Sequence, residues 1–141
     1  MEELLELKKL IHQGNIQDAL LLISEMEEMS KEDKINKIYS YCIVLLVHLI
    51  KQNAEKRTTR SWQVSIDLAV DKIQRINKRQ KAGGTYMNNS ELRELLGQAY
   101  RVALKQASLE AFEGIYDANA LGKMVDFPTI INQAMNLIEQ L

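Results

Sequence analysis

Proline is nearly absent from this chain, Pro128 being the sole example in 141 residues, and glycine occurs only six times. A strand-and-turn fold needs both at frequent intervals, so their scarcity points to helices. The single cysteine, Cys42, excludes an internal disulfide, and its apolar neighbours predict a buried, unreactive thiol. The two histidines, His12 and His48, stand far from each other and from Cys42, which excludes a conventional zinc site. A carboxylate-bridged di-metal bundle needs a glutamate three residues before each histidine, where this chain has Lys9 and Leu45. No phosphate-cradling loop is present, because Gly83 and Gly84 lack both a following Lys-Ser/Thr and a preceding strand. No metal and no cofactor is therefore expected. Apolar runs are short: the longest, around Cys42 to Ile50, falls well below the ~20 residues that cross a bilayer. With Glu2 and Glu3 at the start, no secretory signal is read, and the expectation is a cytoplasmic protein without membrane contact.

What the chain has is ordinary globular composition, 46% hydrophobic and 26% charged, which predicts one domain over residues 1–141. Periodicity predicts an all-α fold, a compact antiparallel bundle of five to six helices around a long central one. Leu4, Leu7, Leu10 and Ile11 mark a first helix stopped at Gly14. Asn15 caps a second, whose Ile16, Ala19, Leu20, Ile23 and Met26 are assigned to the core. Ser30 and Asp33 resemble a capping box opening a third, central helix that runs to about Lys56. A breaker, Arg57 to Ser61, precedes a fourth helix in which Trp62, Ile66, Ala69, Val70 and Ile73 align, so that Trp62 reads as core. The basic, glycine-containing stretch Lys78 to Asn89 reads as a mobile loop. Asn88 with Glu91 caps a fifth helix carrying Leu92, Leu95, Leu96, Ala99, Val102 and Ala103, an irregular link follows, and Pro128 opens a last helix.

Net charge is only −1, yet it is segregated. Residues 1–33 hold 9 acidic and 3 basic side chains, residues 34–81 hold 3 and 11, and residues 82–141 hold 7 and 4, giving −6, +8 and −3. One explanation is mutual offset of acidic and basic helices within a bundle. The other is a binding surface made of Lys56, Arg57, Arg60, Lys72, Arg75, Lys78, Arg79 and Lys81, able to engage nucleic acid or an acidic protein. Few aromatic rings accompany these cations, and single-strand binders use several.

His48, Lys51 and Glu55 recur at three and four residues and lead toward Arg57 and Arg60, so a helix sets them in one stripe. Such a group suits phosphodiester chemistry, with His48 as general base and the arginines holding transition-state charge. The simpler reading pairs Lys51 with Glu55 along the helix and bonds His48 at the core edge, and sequence alone favours it. Helical ribonucleases of the toxin type place an arginine several residues before the histidine, and Ser40 to Val47 contains none.

The run Glu25 to Ile66 resembles the core signature of a bacterial family abundant in cyanobacteria, catalogued as domain of unknown function twenty-nine. In that family a Glu-rich segment precedes a Leu-Leu-x-His-Leu-Leu-Lys helix and a basic Arg-Ser-x-Ser-Trp-like corner, matched here by Leu45 to Lys51 and Arg57 to Trp62, with Thr58 and Thr59 replacing part of the corner. The resemblance extends moderately to Gln98–Leu104 and weakly beyond. It implies an all-helical domain and no activity. Within the motif, His48, Lys51, Glu55, Arg57, Arg60, Ser61 and Trp62 form the candidate site. A structural alternative has Arg57 and Arg60 clamping Glu25, Glu27 and Glu28 while Trp62 fills the core. The expected role is binding another macromolecule, foremost a protein, in a regulatory or toxin–antitoxin-like pair. Nucleic-acid binding or cleavage through the basic corner is the alternative, and self-association is compatible with either.

Overall fold

Six α-helices and one 3-10 turn account for most of the chain in a computed structural model that describes residues 2–79 and 83–139. No strand forms among the described residues; the sole β element is an isolated bridge between Lys78 and Thr85. The chain divides into two compact units, Met1–Lys34 and Ile35–Leu141.

The first unit contains α1 (Glu2–His12) and the opening half of α2 (Ile16–Glu55). Gly14 adopts φ 73°, which lets the amides of Gly14 and Asn15 return to the carbonyls of Ile11 and Leu10 at 3.0 and 2.9 Å, a Schellman stop. Asn15 then caps α2, its Oδ1 accepting from the Asp18 amide at 3.3 Å while its Nδ2 donates to the Asp18 carboxylate at 2.7 Å. Both features follow the sequence expectation. The start of a helix at Ser30 does not: α2 runs unbroken for 40 residues, and Ser30 and Asp33 are exposed in its middle. The capping pattern has no effect there because Glu25 to Glu32 is rich in glutamate and methionine, good helix formers, and no glycine or proline stops the preceding turn. The expected core assignment of this stretch is corrected too. Ala19 is buried, Ile23 and Met26 are half-buried, and Ile16 and Leu20 are exposed.

The second unit holds the core. Ile38, Cys42, Leu45, Leu46, Leu49 and Ile50 from α2 join one apolar cluster with side chains of α3 (Arg60–Asn77), α4 (Asn89–Glu110) and α6 (Phe127–Glu139). Burial of α2 on nearly every side there matches a central helix. Cys42 has no exposed surface, and burial pushes its thiol up to about 12. Helix α3 begins with Thr59 as its cap, whose hydroxyl accepts from the Trp62 amide at 3.1 Å. Helix α4 carries the expected capping box, Asn88 and Glu91 exchanging bonds at 2.8 and 3.1 Å. Val102, expected in its core face, is exposed.

Two connections were not foreseen in detail. Asn77, buried at the end of α3, donates to the Met87 carbonyl at 3.0 Å and accepts from the Met87 amide at 2.8 Å, pinning the return of the connection to α4. Of that expected mobile loop, residues 80–82, including Lys81, lie outside the described residues. After α4, a 3-10 turn (Ala111–Gly114) places Phe112 and Glu113 in the left-handed region, φ 51° and 58°, followed by Gly114 at 79°. A Cβ at position 114 would meet the Leu109 carbonyl oxygen at 3.0 Å, so glycine is required twice over. A short helix, α5 (Ala118–Gly122), capped by Asp117, then leads to α6, whose cap is Asp126 and whose first turn contains Pro128.

Candidate functional site

Three chain segments of the second unit meet at the corner: the end of α2, the start of α3 and the turn after α4. Helix α2 stops at Glu55 because Lys56 turns left-handed, φ 54°. Lys51, four residues earlier, is almost fully enclosed, 5% exposed. Its ammonium lies 3.0 Å from the Glu110 carboxylate and 4.6 Å from the Trp62 ring centroid. The guanidinium of Arg57 lies over the same ring at 4.7 Å, and its Nε donates to Glu55 at 2.9 Å. The other oxygen of Glu55 accepts from the Phe112 amide at 3.2 Å, inside the left-handed turn.

Two cations therefore share one aromatic face system, and each is held by its own carboxylate. A cation over tryptophan contributes ~0.5 to 2 kcal/mol according to its solvation. The enclosed Lys51 belongs at the upper end, and Arg57, with its side chain 55% exposed, at the lower. Glu55 carries two roles, orienting Arg57 and satisfying the amide of a residue whose backbone is costly to hold. Gln52 adds a further tie, donating to the Thr58 hydroxyl at 2.6 Å. Chemically this arrangement is a fastener: its charges are spent on one another.

The expected residues are thus brought together in part. Lys51, Glu55, Arg57 and Trp62 meet. Arg60 and Ser61 are exposed in the first turn of α3, outside the stack. His48 donates from Nδ1 to the Val44 carbonyl at 2.9 Å, one turn back on its own helix, and joins neither ion pair. The bond at the core edge is as the simpler reading had it. That reading's Lys51–Glu55 pair is replaced by Lys51–Glu110 and Arg57–Glu55, because the left-handed Lys56 swings Arg57 back over Glu55 and frees Lys51 for α4. Arg57 takes Glu55 as its carboxylate. Trp62 is half-buried beneath cations and stands outside the apolar core cluster. Glu110 and Phe112 were missed by sequence reasoning, lying 59 and 57 residues from their partners with no local pattern linking them.

Elsewhere in this unit an open cleft of about 300 Å³ is lined by Leu49, Ile66 and Leu137 with the carboxamides of Gln52, Gln63, Gln133 and Asn136. These groups donate and accept without titrating. Among the described residues, no group of three His, Cys, Asp or Glu side chains is placed to hold a metal ion, and no helix is long and apolar enough to cross a membrane.

The first unit presents a different surface. Leu4, Leu5, Ile11, Ile16, Leu20, Leu21 and Met29 are all exposed, Leu5 by 67% and Leu21 by 64%. A shallow groove of about 320 Å³ runs between Gln17, Leu20, Leu21 and Ser24. Ala19 alone is fully buried among the described residues of this unit.

The family model described as "Domain of unknown function DUF29" matches residues 4–129 of the chain. No curated protein and no solved structure matches it.

Proposed function

The chain belongs to the DUF29 family, whose description assigns no activity, and we propose that it acts as a protein-interaction module, docking a partner on the apolar surface of its first unit. The observation that carries this reading is the exposure of seven large apolar side chains on a unit of 34 residues. Apolar side chains this closely spaced exceed the singly scattered ones that are usual on a surface with no partner. A hairpin that buries one alanine also has too small a core to order itself without outside contacts. The corner at Trp62 supports the same conclusion from the other direction, since Lys51, Glu55 and Arg57 are engaged internally.

A second reading, nucleic-acid binding, is favoured by one observation: Arg60, Lys72, Arg75, Lys78 and Arg79 are exposed along and just beyond α3. Two of these five are partly engaged, Arg75 with Asp71 at 3.1 Å and Arg79 over the Tyr86 ring at 5.8 Å. Affinity purification from native cells at two salt concentrations separates the readings. A stoichiometric protein that survives about 200 mM salt and is lost on Leu20→Asp supports docking, whereas nucleic acid released steeply between roughly 50 and 200 mM supports the alternative.

A further inference from the structure

We infer that the partner of the first unit is a second copy of this chain, the two hairpins packing antiparallel into a four-helix bundle. The inference rests on the reading of this face as a protein-docking surface and names its occupant.

Helical spacing puts Leu4, Leu7 and Ile11 on one stripe of α1, and Ile16, Leu20 and Ile23 on one stripe of α2. A link as short as Gln13–Asn15 folds the two helices antiparallel. If the burial of Leu10 and Ala19 marks the inner side of each helix, helical spacing sets both stripes on the same side of the hairpin. Leu7 and Ile23 are half-buried, and the other four are exposed. Such a paired stripe is half of a four-helix bundle.

Charge selects the occupant and its direction. The unit carries 9 acidic and 4 basic side chains, net −5, so a random encounter of two copies is repulsive. The charges are not evenly spread. Glu2, Glu3 and Glu6 on α1 and Glu25, Glu27 and Glu28 on α2 gather at the open end of the hairpin. Lys8 and Lys9 lie toward the turn, where the one carboxylate, Asp18, is bonded to the capping Asn15. Parallel stacking would set acidic end on acidic end. Antiparallel stacking about a two-fold axis sets each acidic end beside the other copy's lysines, so the same surface is complementary to itself in one orientation only. A two-fold interface of this kind closes at the dimer and leaves no unpaired stripe for further growth.

Sedimentation of the purified full chain between about 1 and 200 µM tests the inference, using wild type, Leu20→Asp, the double variant Lys8→Glu with Lys9→Glu, and the triple variant Glu25→Lys, Glu27→Lys, Glu28→Lys. The expected result is a wild-type dimer, a monomeric Leu20→Asp, and at least tenfold weaker self-association of either charge variant alone. An equimolar mixture of the two charge variants then regains association, as antiparallel order requires; both sets of substituted side chains are exposed, so folding is not at stake. A dimer untouched by all the variants, or a mixture no tighter than its components, overturns the antiparallel hairpin. A wild type monomeric throughout overturns the second copy. If that monomer still retains a stoichiometric foreign protein lost on Leu20→Asp, the docking surface stands without the self-association; if it retains none, both fall.

Discussion

Replacing Trp62 by leucine keeps an apolar side chain in place but removes the ring that two cations share. The loss is the sum of two contacts, each worth ~0.5 to 2 kcal/mol. For Arg57 the lower figure applies, because its side chain is 55% exposed and solvent screens it. For Lys51 the upper figure applies, because the ammonium is enclosed and is left with Glu110 alone. The expected cost is about 2 to 3 kcal/mol, which for a unit of roughly a hundred residues lowers Tm by ~8 to 12 °C. The assay is urea and thermal unfolding followed by helical circular dichroism. A double-mutant cycle with Lys51→Met isolates the pairwise part, expected at ~1 kcal/mol or more. A cost under 1 kcal/mol, or a coupling energy indistinguishable from zero, would refute the fastener.

Asn77→Leu keeps the size of a buried side chain while stranding the Met87 amide and carbonyl, and the expected cost is about 2 to 3 kcal/mol by denaturant midpoint; a loss below 0.5 would mean that the connection to α4 is held by other contacts. Ser30→Ala should stabilise by a few tenths of a kcal/mol, ~0.3 to 0.5, because α2 passes straight through this position; a loss near 1 kcal/mol would mean a helix begins there. Cys42 titrates near 12 when folded and at 9.0 in an open chain, so the folded state keeps its proton longer. That raised value contributes stability present in full below pH 9 and lost as pH rises toward 12. Cys42→Ala removes this slope, so between pH 8 and 10.5 the wild type should lose ~2 kcal/mol more than the variant; equal losses would place the thiol in water.

Legibility in the sequence tracked how local each determinant is. The stop at Gly14, the cap at Asn15 and the box at Asn88 and Glu91 are written in three or four consecutive residues, and the structure follows them. Ser30 with Asp33 is equally local and failed, because a capping pattern acts only where the preceding turn is free to leave the helix. The candidate corner was found through its residue types, and Lys51, Glu55, Arg57 and Trp62 do meet. Which charge pairs with which was not legible. It depends on a left-handed lysine at position 56 and on Glu110, brought from another helix by the packing of the whole unit. The same holds for the first unit: periodicity marked Ile16 and Leu20 as apolar-face residues, but a stripe that faces a core and a stripe that faces solvent have the same spacing.

The corner at Trp62 ties three segments of the second unit together, and the proposed protein-docking face lies on the first unit. One comparison tests that division most directly: the amount of protein, second copy or foreign, retained by tagged full-length Trp62→Leu and by Leu20→Asp, both assayed at a temperature where circular dichroism shows each folded. Trp62→Leu is expected to retain what the wild type retains, and Leu20→Asp to lose it. Retention by Leu20→Asp together with loss by a folded Trp62→Leu would contradict that division and make the corner the binding site.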